Sequence, residues 1–181
     1  MDISPDWTVT SDRNVASDRT AASDWTVTPA PAGGAEAADL LRRYYTDIVG
    51  RYHGREALPQ EVDEVLRQEP SEDLDPPTGV FLVGRHRTRT AGCVGVRLLT
   101  PEIAELTRLW IAPAARRTGG GPALLAAAEQ AAVRMGRRTM RLDTRRDLVE
   151  ARALYARHGY AEIPAYNSSP YADHWFEKAL G

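Results

Sequence analysis

Arg116-Arg117-Thr118-Gly119-Gly120-Gly121-Pro122 is the stretch from which the fold of this chain can be predicted. It follows an apolar run, residues 106–111, typical of a strand, and it leads into the alanine-rich segment 123–132, typical of a helix. Glycines permit positive φ angles and close approach of a ligand, and the free N–H groups of a helix start attract anions. Pro122 suits the first helical position, and the two arginines add charge for phosphate oxygens. The stretch therefore predicts a phosphate or diphosphate site.

Two common phosphate-binding motifs do not fit this stretch. A nucleotide P-loop needs a lysine after its last glycine, but the only lysine in the chain is Lys178. A dinucleotide fingerprint needs Gly-x-Gly-x-x-Gly, and the third residue after Gly121 is Leu124. The pattern that fits is Arg-x-x-Gly-x-Gly, from Arg116 to Gly121. This pattern resembles the acyl-CoA diphosphate loop of the GNAT superfamily of N-acetyltransferases.

The remainder of the chain supports the resemblance. Residues 80–84, 91–99, 103–111 and 140–144 are typical of strands, with a polar hairpin turn at 85–90. Two amphipathic helices follow the loop and end near Gly136 and Gly159. Residues 154–160 resemble the family signature Leu-Tyr-x-x-x-Gly-Phe, with Tyr160 in place of phenylalanine. One departure is Leu148, where many members carry asparagine.

The fold that this resemblance implies is an α/β, three-layer arrangement, and it covers residues 23–181. Its central sheet is mixed but mostly antiparallel, it is flanked by helices, and its central strands splay apart. Residues 1–22 form a separate polar extension, which we predict to be loosely ordered. The sequence Asp-Trp-Thr-Val-Thr occurs there at 6–10 and again at 24–28, where the first strand of the domain would begin. The two copies could also pair across a homodimer.

Bulk properties narrow the functional classes. The chain has 181 residues, a formal net charge of −2 and four histidines without metal-ligand spacing. The charge argues against a general nucleic-acid or membrane-surface binder, and no apolar run approaches the roughly 18 residues of a membrane span. Cys93 is the only cysteine, so no intramolecular disulfide can form. We therefore predict a cytoplasmic enzyme without a metal, a nucleic-acid partner or a membrane partner.

The chemistry that the resemblance implies is direct transfer of an acetyl group from acetyl-CoA, the co-substrate, to a primary amine. The amine must lose a proton before it can attack. Glu105 is the candidate base, because it precedes Arg116 by 11 residues, a spacing that several family members use for a catalytic glutamate. It also shares strand alternation with Thr107, Leu109 and Ile111. The alternative is a half-exposed strand residue paired with an arginine such as Arg108; Glu102 is a weaker candidate for the base.

Tyr155 is the candidate acid, because the resemblance places it at the tyrosine that meets the cofactor sulfur. The alternative is core packing, since Tyr155 lies on the same apolar stripe as Leu148 and Leu154. The resemblance also implies a bulge in the central strand, whose freed amides meet the thioester and pantetheine. The matching positions are Leu109, Trp110 and Ile111.

Two functions stay open at this point. The chain is either an active N-acetyltransferase, which we favour because Glu105 and Tyr155 are both present, or a non-catalytic acyl-CoA-binding sensor or scaffold. The acceptor is a small-molecule or protein amine that no residue identifies. Its site would be bordered by residues 166–171. A first helix is predicted at about Ala35–His53, and its tyrosines, Tyr44, Tyr45 and Tyr52, either pack on the core or line the acceptor site.

Overall fold

The structure is a computed structural model that describes residues 24–181. The predicted polar extension, residues 1–22, lies outside the described residues, so its boundary stays a prediction. The strands, in chain order, are β1 Trp25–Ala30, β2 Gly79–His86, β3 Arg89–Leu98, β4 Ile103–Ile111, β5 Thr139–Thr144, β6 Ala161–Ile163 and β7 His174–Ala179. The helices are α1 Ala35–His53, α2 Pro59–Gln68, α3 Gly120–Arg134 and α4 Val149–Arg157, with two short 3₁₀ turns at Glu72–Leu74 and Pro113–Ala115.

The strands form one seven-stranded sheet in the order β1-β2-β3-β4-β5-β7-β6. Only β4 and β5 run parallel, and every other neighbouring pair is antiparallel. The predicted mixed, mostly antiparallel sheet is therefore confirmed. The predicted turn at 85–90 was too long, because β2 extends to His86 and β3 begins at Arg89. The turn itself holds only Arg87 and Thr88, and Arg87 adopts a left-handed φ of 57°.

Helices cover both faces of the sheet. The apolar stripe of α3 and Tyr155 of α4 pack on one face, against buried residues of β2 to β5. Helices α1 and α2 cover the opposite face, around Phe81, Leu74 and Trp110. Cys93 is buried in this second cluster, where burial raises the pKa of its thiol to about 12, so it serves as core filling.

Candidate active site

The glycine loop joins β4 to α3, as predicted. Gly119 has φ +92° and no atom lies within 4 Å of the place where its Cβ would be, so the bend faces open space. Gly120 and Gly121 are already helical, which makes Pro122 the third helical residue and not the first. Proline is tolerated there because the N–H groups of the first helical turn lack intrahelical acceptors anyway. The free amides and the open bend fit an anionic group such as a diphosphate.

Trp25 holds this loop from the edge strand β1. Its indole N–H donates to the backbone oxygen of Thr118 at 3.1 Å and to Oγ1 of Thr118 at 2.9 Å. A Cβ on Gly120 would lie only 2.4 Å from the Trp25 ring, so the ring occupies the space that a side chain would need. Sequence analysis missed this contact because it joins residues 93 positions apart.

The two arginines of the loop have different environments. The Arg116 guanidinium donates to the carboxylate of Asp47 on α1 and to the backbone oxygen of Ile111. Asp47 also accepts the indole N–H of Trp110 at 3.0 Å. Arg117 is exposed and has a left-handed φ of 61°. Arg117 is therefore the arginine whose charge is available to a ligand, whereas the charge of Arg116 is balanced by Asp47.

Strand β4 carries the bulge that the family resemblance implied. Its pairing with β3 shifts between Cys93–Trp110 and Gly95–Thr107, so Arg108 and Leu109 together oppose a single residue. Arg108 has a left-handed φ of 54° at this point. The side chains of Leu109 and Ile111 consequently pack with the α3 cluster. The predicted alternation of Glu105 with Leu109 and Ile111 was wrong, because an extra residue in a bulge reverses the faces beyond it.

Strands β4 and β5 diverge near this bulge. Their pairing ends at Glu105 and Arg141, although β4 continues to Ile111 and β5 to Thr144. We call the resulting gap the split. Peptide groups of β4 that point toward β5 beyond Glu105 have no strand partner in the described chain. Such groups are available to a ligand that enters between the strands.

Glu105 lies at the closed end of the split and is 3% exposed. One carboxylate oxygen accepts from Arg97 Nε at 2.5 Å, and the other accepts from the Tyr166 hydroxyl at 2.8 Å. Asp73 in turn lies 3.2 Å from Nη1 of Arg97. The arginine partner that the sequence suggested was wrong, because the pairing register of β3 and β4 sets Arg97 opposite Glu105.

Arg108 turns away from Glu105 because of the bulge. Its guanidinium donates to the Tyr45 hydroxyl at 3.1 Å and to the backbone oxygens of Glu69 and Pro70, each at 3.2 Å. The residue is 5% exposed. These hydrogen bonds connect β4 to α1 and to the end of α2, the helices that cover the face of the sheet opposite α3.

Tyr155, on α4, belongs to the α3 cluster, which also holds Leu142 of β5. It is 5% exposed and packs beside Tyr160 and Phe176, with ring centroids 5.7 and 6.0 Å away. No described residue forms a hydrogen bond with its hydroxyl. Burial raises the pKa of Tyr155, and the charge of Asp143 raises it further. The phenol therefore stays protonated and can act as a hydrogen-bond donor.

Asp143 also lies at the split, beyond the last β4–β5 pair, and sequence analysis did not single it out. It lies on β5, is partly buried, and accepts from Asn167 Nδ2 at 2.6 Å. The amide oxygen of Asn167 accepts the Trp175 indole N–H at 2.9 Å, which fixes the orientation of the amide. No local pattern distinguishes this aspartate, because its partner Asn167 lies 24 positions away in the chain.

Helix α1 crosses the open end of the split. On one side of the split, Asp47 accepts hydrogen bonds from Arg116 of the glycine loop and from Trp110 of β4. The backbone oxygen of the next residue, Ile48, accepts from Arg145 at 3.1 Å, and Arg51, one turn after Asp47, pairs with Glu150 of α4. We call residues 47–51 of α1 the α1 bridge.

Two cavities flank the α1 bridge, and Arg51 lines both. One, of about 580 Å³, lies along the end of α1 and residues 54–57. The other, of about 310 Å³, is shared with residues 145–147 and with Pro170, Tyr171 and Asp173. The second cavity therefore includes part of the segment 166–171 that we predicted to border the acceptor.

Within residues 24–181, no cluster of three or more histidine, cysteine or acidic side chains could hold a metal ion. In the same range, no helix combines the length and the apolar character that crossing a membrane requires.

Comparison with known proteins identifies the family. A model of the acetyltransferase (GNAT) family matches residues 35–160. A Klebsiella pneumoniae protein described as an acyl-CoA N-acyltransferase is 26% identical, with a TM-score of 0.65 over 87% of this chain and 98% of its own. The PaiA N-acetyltransferase of Thermoplasma acidophilum, solved with coenzyme A, is 17% identical, with a TM-score of 0.67 over 86% and 98%. A GNAT acetyltransferase of Elizabethkingia anophelis, solved with acetyl-CoA, is 16% identical, with a TM-score of 0.59 over 87% and 99%.

Fold, glycine loop and split together define an acyl-CoA-dependent acetyltransferase. The chain belongs to the acetyltransferase (GNAT) family, because the family model matches more than half of it. No curated protein matches the chain significantly in sequence.

Proposed function

We propose that this enzyme transfers the acetyl group of acetyl-CoA to a primary amine by direct attack. The observation that carries the proposal is the split, which opens beyond Glu105 and Arg141 toward the end of β4 that leads into the glycine loop. The amides at the start of α3 and Arg117 would hold the diphosphate. The peptide groups of residues 109–111 would hold the pantetheine arm and donate to the carbonyl oxygen as negative charge develops on it.

The residue that assists departure of the thiolate would be Tyr155, the acid predicted from the sequence. A free thiol has a pKa of about 8.5 and a phenol of about 10, so full proton transfer costs roughly 2 kcal/mol before any shift. Burial raises the pKa of Tyr155 and makes full transfer harder still. We therefore propose that Tyr155 stabilises the sulfur by donating a hydrogen bond.

Removal of the amine proton is assigned to a carboxylate at the split, with Glu105 as the base predicted from the sequence. Because Arg97 and Tyr166 occupy both oxygens of Glu105, it would have to release one of them, or act through the Tyr166 hydroxyl. Substituting Glu105 by glutamine tests this role directly.

Tyr155→Phe is expected to lower kcat by about tenfold to a hundredfold, because a hydrogen bond to the departing sulfur is lost. The phenyl ring keeps the packing against Phe176, so the affinity for coenzyme A and the unfolding temperature should stay close to those of the parent. Steady-state kinetics and calorimetry measure these quantities. Unchanged kcat would leave Tyr155 with a packing role only.

Arg117→Gln is expected to raise the dissociation constant of coenzyme A by about twofold to fivefold, as for other exposed ion pairs. The difference should shrink at high salt, because exposed charges are screened. Arg116→Gln is the matched variant, and we expect a smaller effect because Asp47 already balances that charge. A larger loss for Arg116 than for Arg117 would contradict this division of roles.

The second candidate function is a non-catalytic acyl-CoA-binding sensor or scaffold. Release of free thiol from acetyl-CoA, measured over a panel of alkylamines, diamines, amino-acid amides and lysine peptides, separates the two. Turnover with any amine supports the enzyme. Saturable binding of acetyl-CoA without turnover across the panel would favour the sensor.

A cytoplasmic location and a homodimer are further proposals, made from the sequence.

A further inference from the structure

Strand β5, which forms one side of the split, carries a second carboxylate, Asp143. Arg141 of β5 pairs with Glu105, and Asp143 follows two residues later. Because side chains alternate along a strand, Arg141 and Asp143 face the same side of the sheet. Met140 and Leu142 pack into the α3 cluster, so that side is the one opposite α3. Asp143 is therefore the first acidic side chain beyond the last β4–β5 pair.

Asp143 and Glu105 differ in what their oxygens can still do. Glu105 is ion-paired with Arg97 and accepts from Tyr166, so both its oxygens are occupied. Asp143 has no ion pair within residues 24–181, and only its Oδ2 accepts a hydrogen bond, from Asn167. Its Oδ1 accepts no hydrogen bond within residues 24–181, and it is not one of the fully buried unpaired atoms, so it is accessible. That oxygen is free to meet an ammonium group.

Two adjacent residues of the β6–β7 connection hold the two carboxylates. Tyr166 donates to Glu105 and Asn167 donates to Asp143. Trp175 fixes the amide of Asn167, so Asp143 receives its hydrogen bond in one orientation only. A carboxylate that is held on one oxygen and open on the other is suited to accept a proton at a defined place.

The electrostatic surroundings support the same role. Burial raises the pKa of Asp143, the hydrogen bond from Asn167 opposes this shift, and the charge of Glu105 adds to it. The charge of Asp143 also raises the pKa of Tyr155, the proposed donor to the sulfur. The ionisable groups that interact with Asp143 from neighbouring elements are Glu105 on β4, Arg97 on β3, Glu69 after α2, Tyr155 on α4 and Tyr166.

We propose that Asp143 is the catalytic base, which receives the proton of the acceptor ammonium, and that Glu105 is a positioning residue that orders Arg97 and Tyr166. The inference rests on the proposed function and moves the base from β4 to β5. One proton passes from the ammonium to Asp143 and then to solvent. The nitrogen lone pair forms the C–N bond, the C–S bond breaks, and the second nitrogen proton ends on the released thiol. Reactants and products then balance as amide, coenzyme A and one proton.

Asp143→Asn tests the proposal, with Glu105→Gln as the matched control. We expect Asp143→Asn to lower kcat/KM for the amine at pH 7 by about 10²-fold to 10⁴-fold, the usual contribution of a general base. The deficit should shrink about tenfold for each pH unit up to the pKa of the amine, about 10.4 for a lysine-like acceptor, because the neutral amine needs no base. Glu105→Gln should lose about tenfold or less, with a deficit that does not change with pH. A constant deficit for Asp143→Asn, or a shrinking one for Glu105→Gln alone, would overturn the assignment.

Asn167→Ala supplies an independent test that does not alter the base. Loss of its hydrogen bond should raise the pKa of Asp143, so the acidic limb of the kcat/KM profile should move to higher pH. An unmoved limb, in a variant with unchanged coenzyme A affinity and unfolding temperature, counts against Asp143 as the base. Failure of the unmodified chain to turn over any amine would instead overturn the proposed function, and this inference with it.

Discussion

Gly120→Ala is expected to weaken coenzyme A binding by about a hundredfold or more and to destabilise the protein by about 1–3 kcal/mol, the usual cost of overpacking. The added Cβ would lie 2.4 Å from one atom of the Trp25 ring and 2.7 Å from two others. The ring cannot yield easily, because it is 6% exposed and its N–H is bonded to Thr118. Either the indole or the start of α3 must move, and the amides proposed to bind the diphosphate would move with the helix. Calorimetric titration with coenzyme A and thermal unfolding measure the two effects.

Gly121→Ala is the matched control in the same turn. Its Cβ would meet only the terminal atoms of Leu154, the nearest at 3.2 Å, and these can rotate away. We expect less than a fivefold change in coenzyme A affinity. Combining Gly120→Ala with Trp25→Phe should recover part of the affinity, since the smaller ring leaves room and neighbouring substitutions are not additive. Equal losses for the two glycine variants would contradict the role of Trp25.

Arg97→Met is expected to lower the free energy of unfolding by about 3–5 kcal/mol, the cost of leaving a buried charge without its partner. The Glu105 side chain is 4% exposed, and its remaining partner, the Tyr166 hydroxyl, cannot balance a full charge. Activity should fall as well, because this carboxylate accepts the hydrogen bond of Tyr166, the residue next to Asn167. Denaturant unfolding and the thiol-release assay are the measurements.

Arg141→Met is the control for this second prediction. Arg141 belongs to the same β4–β5 pair, but its partner Glu177 is 35% exposed, so water replaces the lost contact. We expect a loss of about 1 kcal/mol or less. A similar loss for both variants would mean that burial of Glu105 does not set the cost.

Local patterns allowed much of the fold to be predicted. The β2–β3 hairpin consists of apolar runs around a polar turn, and helix α1 was predicted at Ala35–His53, where it is found. The strand, glycine loop and helix at 106–134 form one continuous segment, so neighbouring residues alone carry the signal. Tyr155 could be placed because a helix and its terminal glycine lie directly beside it.

The site proved harder to predict where faces and partners depend on distant contacts. The bulge at Arg108 and Leu109 has no local signature, yet it reverses which side chains of β4 face α1. The partner of Glu105 follows from strand register, which places Arg97 and not Arg108 across from it. The hydrogen bond that supports the proposed role of Asp143 forms only because the β6–β7 connection brings Asn167 beside it, 24 positions along the chain.

The α1 bridge connects the two sides of the split through ion pairs. Its Asp47 pairs with Arg116, on the side of the split where the thioester donor would bind, and its Arg51 pairs with Glu150 of α4, on the other side. A ligand that moves the two sides of the split apart would strain or break one of these ion pairs. A ligand that binds α1 from the neighbouring cavities would do the same. Coupling between two binding events is reciprocal, so each ligand changes the affinity of the other by the same factor. Substitutions in this single turn of helix would then change the affinities for the proposed donor and acceptor together, although the turn holds none of the groups assigned to the reaction.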